Sequence, residues 1–146
     1  MDLKELKLDA GQLEALLARA FPSSRGEPFV HVEDLHLGRA RIRMPFKSWM
    51  LRPGNSIAGP ALFTAADMVM YVLVMAHIGP ELMAVTSDLT MHFLARGKPG
   101  DLVAHGRLLK LGRRLAVMDC EIFSAAEPDI LVAHVSGSYA LPVKAA

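Results

Sequence analysis

Asn55-Ser-Ile-Ala-Gly-Pro-Ala-Leu-Phe-Thr-Ala-Ala-Asp67, continuing through Met-Val-Met-Tyr-Val-Leu-Val-Met-Ala-His77 to Gly79-Pro80, is the stretch on which the fold turns. Between Ala61 and Ala76 only Thr64 and Asp67 are clearly polar, so a helix here is apolar nearly all round and must be buried on most of its surface. Asn55 and Ser56 are cap-type residues just upstream, with a capping role for Asn55. Pro60 suits a first turn, and Gly79-Pro80 is a stop signal. At 3.6 residues per turn, Pro60, Thr64, Asp67 and Tyr71 fall on one stripe, which sets a carboxylate among apolar neighbours at mid-helix. A membrane span is disfavoured, because Asp at the centre of such a helix costs roughly 2.5–3.5 kcal/mol and the downstream sequence reads as soluble strands. A structural Asp that caps or pairs with an Arg is the plain alternative. With so little solvent face available, a desolvated carboxylate is instead a functional candidate.

The composition bounds the rest. The chain has 146 residues, 52% apolar and 21% charged, with a net charge of +1, which describes one globular domain with a sizeable core. This near-neutral balance carries no nucleic-acid footprint. Arg39, Arg41 and Arg43 alternate with Ala40, Ile42 and Met44 as the solvated face of a strand. A single cysteine, Cys120, excludes a disulfide framework and a cysteine-based metal site. Together with an N-terminus that lacks an apolar signal segment, it makes the cytoplasm the expected location. The six histidines show no paired spacing with a carboxylate that suggests a site, and read as solvated or packed.

Read in order, Asp9 to Ala20 places Leu13, Leu16, Leu17 and Ala20 on one face of a short amphipathic helix, expected to pack across an end or edge of the domain. Phe29 to Leu37 and Arg39 to Met44 form a hairpin about Leu37-Gly38, followed by a loop from Lys47 to Gly54. Beyond the buried helix, strands are expected at Ala84–Leu94, Leu102–Leu111, Leu115–Ser124 and Ile130–Ala140. Turns fall at Gly97–Asp101, around Gly112-Arg113-Arg114 and at Ala126–Asp129. The class is α+β: an antiparallel sheet of about six strands wrapped around one long buried helix, plus a short N-terminal helix. One domain spans 1–146, with 1–28 as helix and linker and 29–141 as core.

Ala58-Gly-Pro-Ala-Leu-Phe-Thr-Ala-Ala-Asp67, Ala84-Val-Thr-Ser-Asp-Leu-Thr-Met-His-Phe-Leu-Ala-Arg96, Gly100-Asp101, Gly112-Arg-Arg-Leu-Ala-Val117 and Leu131-Val-Ala-His-Val-Ser-Gly-Ser-Tyr139 occur in the order that resembles the hotdog-fold acyl-CoA thioesterases of the PaaI (phenylacetate-pathway) type. The resemblance covers about residues 29 to 141. It implies that Asp67, nine positions after the start of the family's His-Gly-Gly motif, is the general base or nucleophile. By the same resemblance the Gly59 N–H polarises the thioester carbonyl, and Thr86 helps to position the water. An unpaired N–H at the positive end of a helix dipole suits the Gly59 role. The chain departs from the family at Ala58-Gly59-Pro60, which removes the motif's His side chain and the N–H of its second glycine.

The implied reaction is hydrolysis of an acyl-CoA, with a medium-chain or aryl acyl group, and it requires no metal or redox cofactor. Arg96, Lys98, Arg113 and Arg114 are expected as a group to serve the phosphates of coenzyme A. A hotdog protein that binds acyl-CoA or another apolar ligand without hydrolysing it is the alternative. Retention of Asp67 argues against that, since a carboxylate in an apolar tunnel is a poor feature for a binder. A dehydratase would carry a catalytic His, and none lies near the Asp67 stripe. The strand Ala84–Leu94 has no Pro or bulge signal to protect it at an edge. The resemblance implies that the same strand of a second subunit closes this edge, giving a homodimer with Asp67 of one chain facing Gly59 of the other, and with dimers able to pair again.

Overall fold

A computed structural model describes residues 3–22 and 28–143. Helix α1 spans Ala10–Ala20, with Asp9 as its N-cap. The Asp9 carboxylate accepts from the Gln12 N–H at 2.8 Å, and the Gln12 side chain accepts from the Asp9 N–H at 2.9 Å, a reciprocal capping box. Leu13, Leu16 and Leu17 are buried, as the periodicity requires. The linker expected after α1 lies largely outside the described residues. Strands β1 (His31–His36) and β2 (Arg39–Met44) form the hairpin, with Gly38 at φ +76° in the turn. Helix α1 lies along β1, and Glu14 accepts from the Val32 N–H at 2.8 Å, so one edge of the sheet is partly covered.

The expected loop at 47–54 is more ordered than its composition suggests. It holds a single 3-10 turn (Ser48–Met50), and then two-residue strands β3 (Leu51–Arg52) and β4 (Ser56–Ile57) pair across a tight turn. Asn55 occupies that turn at φ +59° and is exposed, so its expected capping role is corrected. Asn tolerates the left-handed region, and the turn needs a residue there. The N-cap of the buried helix is Ala58, without a side-chain hydrogen bond.

Helix α2 (Gly59–Ile78) ends at Gly79, φ +96°, and from Ala65 to His77 only Asp67 is not buried. It packs on one face of a six-stranded antiparallel sheet in the order β1-β2-β6-β7-β8-β5, where β5 is Val85–Phe93, β6 Leu102–Leu111, β7 Leu115–Ser124 and β8 Glu127–Ala140. Alternate residues of β6 and β7 (Leu102, Ala104, Gly106, Leu108; Ala116, Met118, Cys120, Ile122) are buried. Gly106 lets the helix approach, since a Cβ there would meet Leu73 at 2.8 Å and Val69 at 2.9 Å. A six-stranded antiparallel sheet around one long helix is the hotdog arrangement implied by the resemblance.

Three details differ from the sequence reading. The four strands after α2 do not lie side by side in chain order, as strands joined by short turns would, because β5 pairs with β8 at the far edge and the chain crosses the ends of β8 and β7 through residues 94–101 to start β6. The crossing is tied by Leu94 N–H to Val132 O (2.8 Å), Ser124 hydroxyl to Lys98 O (2.7 Å) and Ala125 N–H to Asp101 O (2.8 Å). The expected turn at Ala126–Asp129 is shorter, and β8 begins at Glu127, with Pro128 to Ile130 exposed before the regular ladder. Finally, β5 carries a bulge. Thr86 pairs with Tyr139 and Asp88 with Ser138, which leaves Ser87 as the extra residue.

Candidate active site

Asp67 projects from the third turn of α2 into a cleft of about 490 Å³ lined by Ala20, Phe21, Tyr71, Leu82, Ala84, Val85, Thr86 and Tyr139. Apart from the carboxylate and three hydroxyls, its wall is apolar. Thr86 donates its hydroxyl to Asp67 Oδ1 at 2.6 Å. Tyr139 donates to the same Oδ1 at 2.6 Å and lies 3.0 Å from the Asp67 carbonyl oxygen. Larger clefts of about 550 and 620 Å³ open on the outer face of the sheet, where charged side chains of β1, β2, β6 and β7 stand among polar and apolar ones. Arg107 forms a two-pronged ion pair with Asp119 in that region and His134 lies 3.2 Å from the same carboxylate, so that carboxylate is already paired. Of these three clefts, the smallest one alone places a carboxylate against neutral hydroxyls in apolar surroundings.

Each member reaches the cleft for a local reason. Asp67 follows Thr64, whose hydroxyl is turned back onto the Pro60 carbonyl at 2.9 Å, and Tyr71 stands one turn later on the same stripe. Thr86 faces the helix because of the bulge. Strict alternation from Leu89 and Met91, which point toward α2, would turn Thr86 outward, and the extra residue at Ser87 restores it. Tyr139 belongs to the buried β8 column Ala133, Val135, Gly137, Tyr139, between Ala116 on β7 and Thr86 on β5. Burial, followed by the neighbouring Asp67 charge, pushes the Tyr139 phenol well above its usual range, so it remains an O–H donor. Tyr139 ends the last motif segment, where the resemblance assigns it no role. The signal was available: a buried Tyr needs a partner for its hydroxyl, and this one lies at the height of Thr86.

The remaining expected residues are not gathered here. Gly59 is the first residue of α2, where its N–H has no acceptor inside the helix. It lies eight residues before Asp67, about 12 Å along the axis. A Cβ at Gly59 would make only ordinary contact with Phe93, at 3.5 Å, so packing within the chain does not require a glycine. Arg113 and Arg114 sit in the β6–β7 turn at the Val85 end of the sheet. Arg96 and Lys98 follow β5 at its other end, about 26 Å away along the strand. Lys98 pairs with Glu127 at 3.4 Å. The four cations therefore do not form one group within a chain.

Three histidines lie near carboxylates at the surface. His134 meets Asp119 at 3.2 Å, His36 meets Asp34 at 2.9 Å and His31 approaches Glu14 at 3.9 Å. Two of these pairs join separate elements, which sequence spacing does not reveal. None lies beside Asp67.

The profile of the thioesterase superfamily matches residues 54–130. A search of proteins with curated functions finds no match. Among solved structures, a candidate thioesterase from Silicibacter sp. TM1040 is 37% identical with a TM-score of 0.85, covering 97% of this chain and 96% of that one. Zebrafish thioesterase superfamily member 2 is 20% identical with a TM-score of 0.77, covering 93% and 100%. A thioesterase from Haemophilus influenzae, 14% identical, has a TM-score of 0.78 and covers 97% and 96%. At those identities the last two speak for the fold alone. The profile spans the long helix with Asp67 and the strand with Thr86, and with the Silicibacter relative it establishes that the chain belongs to the thioesterase superfamily, a family of thioester hydrolases.

Proposed function

We propose that the protein is a hotdog acyl-CoA thioesterase of the PaaI type, hydrolysing a medium-chain or aryl acyl-CoA to the free acid and coenzyme A. The observation that carries this reading is the Asp67 carboxylate held by two neutral hydroxyls in an otherwise apolar cleft. Asp67 either takes a proton from a water whose oxygen bonds to the carbonyl carbon, or bonds to that carbon itself. In both routes the C–S bond breaks and the thiolate leaves. In the second, water then opens the anhydride. Phe21, edge-on to Tyr71 at 5.7 Å and stacked on Phe29 at 6.3 Å, provides an aromatic wall suited to a flat or flexible apolar acyl group.

The working unit in this reading is a homodimer closed at β5, with dimers able to pair again. Strand β5 is the sheet's free edge, and Phe93, Leu94, Val85 and Met83 are exposed along it, Met83 at 73%. Antiparallel pairing with its copy sets the Phe93 end of one strand beside the Val85 end of the other. The Gly59 N–H, Arg96 and Lys98 of one chain then approach Asp67, Thr86, Arg113 and Arg114 of the other, which removes the 12 Å separation within a chain.

The test is a panel of acyl-CoA thioesters varied in chain length and aromaticity, followed by release of free thiol. Turnover is expected with at least one medium-chain or aryl member, and Asp67→Asn lowers kcat about a hundredfold or more. Binding of the panel without turnover would favour the non-catalytic acyl-CoA binder. For the shared site, inactive Asp67→Ala and inactive Gly59→Pro chains are mixed. Recovery of up to one site per mixed dimer is expected, and verified mixed dimers that bind substrate without recovery rule it out.

A further inference from the structure

Two hydroxyls converge on a single oxygen of Asp67. Thr86 and Tyr139 each lie 2.6 Å from Oδ1, and among the described residues nothing donates to Oδ2. A carboxylate can only accept, so both hydroxyls direct their protons at Oδ1 and occupy its two lone-pair directions. We infer that Tyr139 is a positioning residue that, together with Thr86, fixes Asp67 so that Oδ2 alone meets the water or the thioester carbonyl; this rests on Asp67 being the reacting carboxylate.

The geometry gives each hydroxyl a different task. The single Tyr139 O–H is shared between Oδ1 at 2.6 Å and the Asp67 backbone carbonyl at 3.0 Å, so it holds the carboxylate against its own helix and restricts rotation of the carboxylate plane. Only 2% exposed and opposite Thr86 in the β5–β8 ladder, it is held by the sheet rather than by substrate. Thr86 has given its only proton to Oδ1, so it can offer a water just a lone pair. A water that donates one O–H to Thr86 and the other to Oδ2 keeps an oxygen lone pair free for the carbonyl carbon. That arrangement aims the attack without any further group from this chain.

A purely structural Tyr139 would fill the core beside Ala116 and affect activity only through stability. Tyr139→Phe keeps the ring and removes the donor, so the two roles separate. On the thioester that the wild type turns over, Tyr139→Phe is expected to lower kcat about tenfold or more, with KM within about twofold and little change in Tm. In an Asp67→Asn background, assayed at high enzyme concentration, the same change is expected to lower the residual rate no further, because its effect runs through the carboxylate. Wild-type kcat in Tyr139→Phe, or an equal fractional loss in the Asp67→Asn background, overturns the positioning role while leaving Asp67 in place. Wild-type kcat in Asp67→Asn removes both. Should Tyr139→Phe fail to fold, 3-fluorotyrosine at 139 keeps ring and O–H and changes only the strength of the donor. A kcat shift of about twofold or more at unchanged KM is then expected, and an unchanged kcat overturns the proposal.

Discussion

Helix α2 carries a carboxylate and an imidazole ten residues apart, Asp67 and His77, and the same apolar helix treats them differently. His77 is 6% exposed and both ring nitrogens are engaged. Nδ1 lies 2.7 Å from the Leu73 carbonyl, and Nε2 accepts from the Gly38 N–H at 2.9 Å, which fixes the neutral tautomer with its proton on Nδ1. Asp67 is half-buried at the cleft, with Oδ1 fully engaged and Oδ2 open. Polarity within an apolar helix is therefore a poor marker of function by itself. An acceptor left open toward a cleft is the better one, because a side chain whose every valence is filled by protein can only hold the fold together.

The sharpest break of this comparison exchanges the readouts. Asp67→Asn is expected to remove a hundredfold or more of kcat while Tm stays near the wild-type value, since the amide is nearly isosteric. His77→Ala is expected to do the reverse. It leaves the Gly38 N–H and a core void without partners and costs about 2–4 kcal/mol in a denaturant titration, while kcat per folded molecule is kept. Loss of kcat without loss of stability in His77→Ala would erase the distinction.

A smaller effect follows from pH. Burial holds the His77 pKa below its ordinary value, outweighing the bond to the Leu73 carbonyl, which acts the other way. Above about pH 6.5 the ring is neutral in folded and unfolded chains alike. Below it the unfolded chain takes a proton that the folded one refuses, so stability falls with falling pH, by at most about 1.4 kcal/mol per pH unit, until the folded pKa is reached. Unfolding free energies measured between pH 7 and 5 should show this slope in the wild type, and a shallower one by that component in His77→Gln.

Much of the architecture is legible in the residues because it rests on local or periodic signals. The bounds of α2 follow from Pro60 and Gly79, α1 from the Asp9 cap, and the core faces of β2, β6 and β7 from strict alternation. Asp67 stands out as the one charge in an apolar run. Features set by a partner elsewhere in the chain are not legible in this way. The place of β5 beside β8, the pairs His134–Asp119 and His31–Glu14, and the Tyr139 hydroxyl on Asp67 each depend on a neighbour distant in sequence. Asn55 is ambiguous in the sequence because a cap and a left-handed turn favour the same residue type.

The bulge at Ser87 has a consequence for comparing this protein with its relatives. Thr86 and Asp88 oppose the consecutive residues Tyr139 and Ser138, so deleting Ser87 would leave Thr86 facing α2 in an unbroken ladder. Straightening the strand with Ser87 kept would instead turn Thr86 away from α2, even though a sequence alignment would still match it column for column. A homologue with the same number of residues but no bulge needs its hydroxyl at the adjacent position, and one that keeps a threonine in the aligned column there has lost the contact to the carboxylate. Transfer of site residues across the superfamily thus depends on matching the ladder register of this strand before matching the letters.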